Sequence, residues 1–332
     1  MNTLRFWFRN ARTKALPQSI LPAVLALCMA SMEAGFSIYL GLSALLGVIA
    51  GHLGMNLFDD YFDYKVKSSE FRDKMARKGF RARISKCAYI TSGATDLKHL
   101  LFACLAFSAA AVILGIVIWW YRGNVIFYLA LITAVLGISY SGAPLRLSYR
   151  GLGEILIGLM FGPLLMIGVF YAACGVFGWP VVFVSVPIGL LVANIVYTHS
   201  IMDFEPDKEV GKMTFAVLLK DKNRMLACLL LLLLMAFGCI IGGVIAGYLS
   251  AYYLLSLLTL PMAVSLFYLM IEFVRKPEKQ FVPRWWMGPM SNWQNIRAAG
   301  IDWFMIRWFS ARNLLSFFCL IIIVVNIILM LW

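Results

Sequence analysis

The chain has 332 residues, 62% of them hydrophobic and 14% charged, with a mean hydropathy of +0.85. A soluble domain carries about 25% charged residues, so this composition excludes a water-soluble enzyme and describes a polytopic membrane protein. The 29 Lys and Arg against 16 Asp and Glu, net +13, would suggest nucleic acid in a soluble chain; here the distribution of charge between apolar runs is what matters, and no nucleic-acid partner is expected.

One crossing of a hydrocarbon core of roughly 30 Å takes about 20 apolar residues as a helix. Windows of that kind fall at 18–34, 37–57, 100–120, 124–141, 153–174, 178–201, 225–246, 250–271 and 313–332. Runs such as Leu226 to Ile245 do not alternate, which excludes a β-barrel. The predicted fold is all-α, a lipid-embedded bundle of nine transmembrane helices. With the N-terminus inside, the connections on the cytoplasmic side hold 28 of the 29 basic residues, in the segments before helix 1 and at 64–98, 141–151, 208–224 and 275–312. Only Arg122 falls on the other side, so helix count and orientation support each other.

Residues 1–332 read as a single domain, with the first crossing retained as an anchor. The segment 274–312 is longer than an ordinary connection and holds five of the ten tryptophans, Trp285, Trp286, Trp293, Trp303 and Trp308. It reads as an interfacial insertion between helices 8 and 9, with indoles at headgroup depth. Most of the seven cysteines lie in apolar runs without CxxC spacing and are packing residues.

Seven of the sixteen acidic residues form two clusters: Asp59, Asp60 and Asp63 at the end of helix 2, and Asp203, Glu205, Asp207 and Glu209 at the end of helix 6. Four crossings separate them, so both open on the cytoplasmic side. Grouping carboxylates at apolar helix ends costs desolvation and mutual repulsion, which calls for a cation. Asn56, Asp60 and Asp63 stand at i, i+4 and i+7 and share a helix face; Asp203 and Asp207 repeat the i, i+4 step, with Pro206 ending or bending helix 6 there. Carboxylate and amide oxygens suit Mg²⁺, which completes its shell with waters and substrate phosphates. Two such groups facing each other across a cavity would hold Mg²⁺ on one diphosphate and neutralise its charge as it leaves carbon. The alternative is a pair of solvated helix ends.

Arg12, Lys14, Arg146, Lys208 and Lys212 lie near the clusters and suit phosphate oxygens, although the positive-inside bias also explains basic loop residues and is the reading for the block at 65–86. Tyr61, Tyr64 and Tyr140 are candidates to donate to phosphate or shield a carbocation, or to anchor the chain at the interface. Glu154 is a helix-terminus or pore-facing acid. His199, one turn before Asp203, is a candidate for an acceptor hydroxyl or proton, or a polar contact inside the bundle. The pairs Gly47/Gly51, Gly158/Gly162 and Gly243/Gly247 have close-packing spacing. The absence of a Walker loop, a dinucleotide fingerprint and a nucleophile elbow weakens ATP-driven and redox readings.

Several blocks resemble the UbiA superfamily of intramembrane prenyltransferases, most closely its 1,4-dihydroxy-2-naphthoate branch. Ala11-Arg12-Thr13-Lys14-Ala15-Leu16-Pro17 followed by Pro22 is similar to that branch's "ARPKTLP…P", and Asn56-Leu57-Phe58-Asp59-Asp60-Tyr61-Phe62-Asp63-Tyr64-Lys65 to "NLxNDYFDYK". Tyr140-Ser141-Gly142-Ala143-Pro144, Gly153-Glu154 and Phe161-Gly162-Pro163 resemble "YTGGP…GE…FGP"; Asp203-x-Glu205-x-Asp207 with Gly211-Lys212-x-Thr214 resembles "DxExDxxxGKxT". The resemblance covers most of the chain.

It implies nine helices around a central cavity open to the membrane for an isoprenoid tail. It implies a bacterial inner-membrane enzyme that uses Mg²⁺ to transfer a polyprenyl group from its diphosphate to an aromatic acceptor in menaquinone biosynthesis. Asn56, Asp60, Asp63, Asp203 and Asp207 would bind metal and diphosphate, supported by Arg12, Lys14, Tyr140, Arg146 and Lys212. Three departures stand out. Asp59 replaces an Asn and adds an acid to the metal set, and the further acid expected shortly after Asp63 is not evident. Met202 stands where the branch has an Arg, within His199-Ser200-Ile201-Met202-Asp203, which removes a partner for an acceptor carboxylate. The same chemistry on 4-hydroxybenzoate, a lipid or a tetrapyrrole is the first alternative. A secondary transporter is the second, and it predicts acids at mid-membrane depth.

Overall fold

A computed structural model describes residues 3–65, 87–209, 211–277 and 279–331. The basic block at 66–86 lies outside the described residues. Among those described, every regular element is helical; the only β-type pairing is a bridge between Arg150 and Met213. Among the described residues eight helices are long and apolar enough to cross a membrane, and the chain is an integral membrane protein. Each of the nine apolar windows contains a helix, but the one in the first window, Pro17–Ala30, has 14 residues and rises only about 21 Å. The chain divides into two compact units, Met1–Leu147 with Pro163–Val181, and Ser148–Gly162 with Val182–Trp332.

The first unit holds α1 (Thr3–Asn10), α2 (Pro17–Ala30), α3 (Ile38–Lys65), α4 (Ala88–Thr91), α5 (Leu97–Arg122), α6 (Asn124–Ser141) and the later half of α7 (Gly153–Cys174). Pro17 starts α2 where a missing N–H costs nothing. Asp96 caps α5 by accepting from the His99 backbone N–H at 2.8 Å. That bond, with one from the His99 side chain, holds the Asp96 carboxyl below the usual carboxylate range. α3 has 28 residues, about 42 Å, so its apolar part spans while its acidic last turns reach the interface. Arg122, at the end of α5, donates to the carbonyls of Ala172 (2.9 Å), Ala173 (2.6 Å) and Gly35 (2.9 Å). It therefore satisfies carbonyls at the end of α7 and before α3 that no intrahelical donor reaches.

The second unit holds the first half of α7, α8 (Trp179–Met202, from Val182 onward), α9 (Phe204–Glu209), α10 (Phe215–Leu219), α11 (Lys222–Ile245), α12 (Ala251–Arg275), α13 (Trp293–Ala298) and α14 (Asp302–Leu331). The unit boundary falls in α7 at a π-helical turn, Met160–Leu164, that contains Pro163. Gly158 and Gly162 let α7 touch the backbone of α8: a Cβ on Gly162 would lie 2.4 Å from the Gly189 Cα. Gly51 and Gly247 show no such approach, so of the GxxxG spacings only Gly158/Gly162 brings both its glycines onto a facing helix.

α14 begins eleven residues before the apolar window that announced it, and Trp303 and Trp308 are helical. Arg307, which would break a hydropathy window, is fully buried there. It donates to the Leu269 carbonyl at 2.9 Å and to the Trp303 carbonyl, with its guanidinium 5.0 Å from the Phe273 ring centroid. The Trp286 indole donates to Ser265 on α12 at 2.9 Å, whereas Trp285 is 88% exposed. The five tryptophans thus do different jobs.

Candidate active site

The first acidic cluster lies on an uninterrupted helix. Asp60 and Asp63, one turn apart on α3, are buried, while Asp59 and Asn56 are partly buried. Arg12 follows α1 with a left-handed backbone (φ 58°), uncommon for a residue with a Cβ. Its guanidinium reaches Asp59 Oδ2 at 3.3 Å and donates to Asp60 Oδ1. The Tyr89 hydroxyl donates to Asp60 Oδ2 at 2.9 Å, and Ser141 Oγ, at the end of α6, donates to Asp59 Oδ1 at 2.6 Å. Asn56 Nδ2 donates to the Ala11 carbonyl at 3.0 Å, so the amide oxygen is the donor atom this side chain has to offer a metal. His52, a turn before Asn56 on α3, is tied to Ser19 of α2 at 2.7 Å.

Electrostatics follow from this grouping. Burial alone would lower the Arg12 pKa, but attraction to Asp60 and Asp59 and the bond to Asp60 outweigh it and hold the guanidinium above its ordinary value. Burial, then the charge of Asp60, pushes the Tyr89 hydroxyl well above the usual phenol value, so it remains a donor.

The second cluster straddles a helix break. α8 ends at Met202 and α9 starts at Phe204, with Pro206 in its first turn; the Asp207 N–H still donates to the Asp203 carbonyl at 2.8 Å. Asp203 and Asp207 are buried, while Glu205 and Glu209 are exposed. The His199 Nε2 lies 3.9 Å from Asp203 Oδ2, and its ring centroid is 4.8 Å from that of Phe304. Lys212 Nζ sits 5.6 Å over the Tyr149 ring. Glu154, at the start of α7, is buried and accepts from Ser200 and from the Phe215 N–H. Lys14 and Arg146 are exposed, and Tyr140 is partly buried beside Ser141.

Each cluster thus places two buried aspartates about one helical turn apart, and at the first Asn56 adds an amide oxygen. Among the described residues no three His, Cys, Asp or Glu side chains form a ready-made metal cage. Mg²⁺ commonly takes one or two carboxylates and fills its shell with water and phosphate, so these pairs fit it. Tyr89, Ser141 and Ser200 were not singled out by residue type alone; a lone Tyr after a basic stretch of sequence and Ser residues near helix ends carry no signal until the chain is folded.

The UbiA prenyltransferase family model matches residues 19–296. The 1,4-dihydroxy-2-naphthoate octaprenyltransferase of Bacillus subtilis is 26% identical over 264 residues, 76% of this chain and 78% of that protein. A structure described as digeranylgeranylglyceryl phosphate synthase superposes with a TM-score of 0.63 at 19% identity, covering 98% of this chain and 99% of that one. A UbiA homologue from Archaeoglobus fulgidus bound to DMAPP and Mg²⁺ superposes at 0.58 with 15% identity, covering 96% and 99%. With the helical fold and both aspartate pairs, the family match over most of the sequence establishes that the chain belongs to the UbiA prenyltransferase family.

Proposed function

We propose that this prenyltransferase moves a polyprenyl group from its diphosphate onto 1,4-dihydroxy-2-naphthoate, on the route to menaquinone, in the bacterial cytoplasmic membrane. The observation that carries the reading is selective burial: Asp60, Asp63, Asp203 and Asp207 are withdrawn from solvent while Glu205 and Glu209 beside them are not. Buried carboxylates need cations, and the naphthoate octaprenyltransferase relatives supply the acceptor.

Asn56, Asp60, Asp63, Asp203 and Asp207 would hold Mg²⁺, with Asp59 adding charge at the first cluster. When bound, Mg²⁺ neutralises the charge that grows on the leaving diphosphate. Arg12, Lys14, Arg146 and Lys212 bind its oxygens, and Tyr140 donates to it or shields the cation. The allylic carbon–oxygen bond breaks, diphosphate leaves with the electron pair, and the electron-rich ring attacks the allylic cation. A carbon–carbon bond forms, and the ring carboxylate leaves as CO₂. His199 hydrogen-bonds an acceptor hydroxyl. All nine helices cross, with the N-terminus cytoplasmic, as the location of 28 of 29 basic residues supports, and residues 1–332 act as one domain.

Purified protein given Mg²⁺, a polyprenyl diphosphate and the naphthoate should release diphosphate and CO₂ and form a lipid-soluble product, and EDTA should stop it. Folded protein that turns over no naphthoate at any prenyl length overturns the reading. Turnover of 4-hydroxybenzoate, a lipid or a tetrapyrrole instead reassigns the acceptor.

A further inference from the structure

Glu154 is a buried acid with no role in the chemistry above, and its partners are informative. Its Oε1 accepts from Ser200 Oγ at 2.5 Å and from the Phe215 backbone N–H at 3.2 Å. Ser200 stands three residues before Asp203, at the end of α8. Phe215 opens α10 just after Lys212, and its N-cap residue Thr214 provides no side-chain cap. The Phe215 N–H also reaches Oε2 at 3.4 Å, and the segment that carries Asp203, Asp207 and Lys212 is therefore held at both ends by one carboxylate. Inside it, the Asp207 N–H donates to the Asp203 carbonyl and the Lys212 N–H to the Asp207 carbonyl, each at 2.8 Å. The residues leading into α7 lie along the same segment, through the Arg150–Met213 bridge and the Lys212 ammonium over Tyr149.

We infer that Glu154 is a positioning residue that clasps the base of the 203–214 segment and thereby sets the geometry of Asp203, Asp207 and Lys212 toward metal and diphosphate. The inference rests on the proposed role of the second acidic cluster. Displacing a ligand by about 1 Å is enough to degrade a preorganised site, and a buried carboxylate on two donors is a rigid way to prevent that. Because Oε1 takes the shorter bond from each donor, with Oε2 only at 3.4 Å from the Phe215 nitrogen, the clasp needs an acceptor more than a charge. Gln at 154 can reproduce it; Ala cannot.

The test uses the full chain in nanodiscs, with hydrogen exchange as one readout and Mn²⁺ binding in the presence of geranyl diphosphate as the other. Glu154→Ala should speed exchange specifically in 203–214, weaken Mn²⁺ binding by about tenfold and raise KM for the diphosphate more than it lowers kcat. Glu154→Gln should restore all three. Ser200→Ala, which removes one of the two donors, should fall between and remains informative should Glu154→Ala fail to fold. Unchanged exchange in 203–214 for Glu154→Ala, or wild-type behaviour in Ser200→Ala together with a Gln variant as impaired as the Ala variant, overturns the clasp. Asp203→Ala serves as the control: full Mn²⁺ binding there defeats the metal-site reading itself, independently of what exchange says about Glu154.

Discussion

Arg12 donates to the buried carboxylate of Asp60, a partner 48 residues further along the chain, and the same guanidinium contacts Asp59. One cation thus contacts two adjacent acids at the end of an apolar helix, where the sequence pattern calls for a metal. The exchange of an Asn for Asp59 has a structural counterpart, since the added carboxylate is engaged by both Arg12 and Ser141.

Removing that cation should make the protein lean on metal. Arg12→Gln takes a charged donor away from the buried Asp60, which keeps the Tyr89 hydroxyl among its partners. A fully buried pair loses about 3–5 kcal/mol when broken, but a third of the Arg12 side chain is exposed, so about 1–3 kcal/mol is expected. Thermal unfolding in EDTA should show a lowered Tm, and Mg²⁺ should raise the Tm of the variant more than that of the wild type, because ligand binding to the folded state is linked to stability. Equal Mg²⁺ shifts would mean that Arg12 and metal do not share the aspartates.

Tyr89 gives a pH signature. Its folded-state pKa is raised above the unfolded value of about 10, so its contribution is complete below about pH 10 and declines as pH climbs from there toward the folded value. Tyr89→Phe should cost about 1–2 kcal/mol near neutrality, and the gap to wild type should narrow above pH 10. Denaturation at pH 8 and pH 11 checks the sign; a gap that widens would place the titration elsewhere.

Burial separates the acids of the second cluster. Asp203→Asn and Asp207→Asn should each reduce kcat by at least about a hundredfold. Glu205→Gln and Glu209→Gln, on exposed positions, should remain within about twofold, since solvated charges contribute little. Steady-state turnover with a fixed prenyl donor distinguishes the pairs, and a large loss in Glu205→Gln would redraw the site.

What could be read before folding was whatever is periodic or clustered. Hydropathy located the eight long apolar helices found among the described residues because burial in lipid demands unbroken apolar runs, and the i, i+4, i+7 spacing of Asn56, Asp60 and Asp63 survived because α3 is continuous through them. Contacts made by isolated residues were not legible. Tyr89 meets Asp60 across 29 residues, and Glu154 meets Ser200 and Phe215 across 46 and 61 residues. The start of α14 was hidden because Arg307 and Arg312 interrupt its hydropathy, although Arg307 is buried on backbone carbonyls and an aromatic ring. Arg122 looked like an exception to the charge rule and is instead a cap for carbonyls.

Gly162 offers a packing test with a built-in control. A Cβ there would meet the Gly189 backbone at 2.4 and 2.5 Å and the Ser185 carbonyl at 2.5 Å. All of these are backbone atoms, which cannot rotate away, so Gly162→Ala has to drive α7 and α8 apart. Overpacking of this kind costs about 1–3 kcal/mol or more, and the π turn that starts two residues earlier would move with it. Gly168 lies on the same helix, with nothing within 4 Å of the position a Cβ would take, and Ala there gains up to about 1 kcal/mol of helix propensity. Gly162→Ala should therefore lower the Tm and the yield of monodisperse protein, and Gly168→Ala should hold or raise them. If both substitutions behave alike, close contact between α7 and α8 at Gly189 is not what this glycine is for.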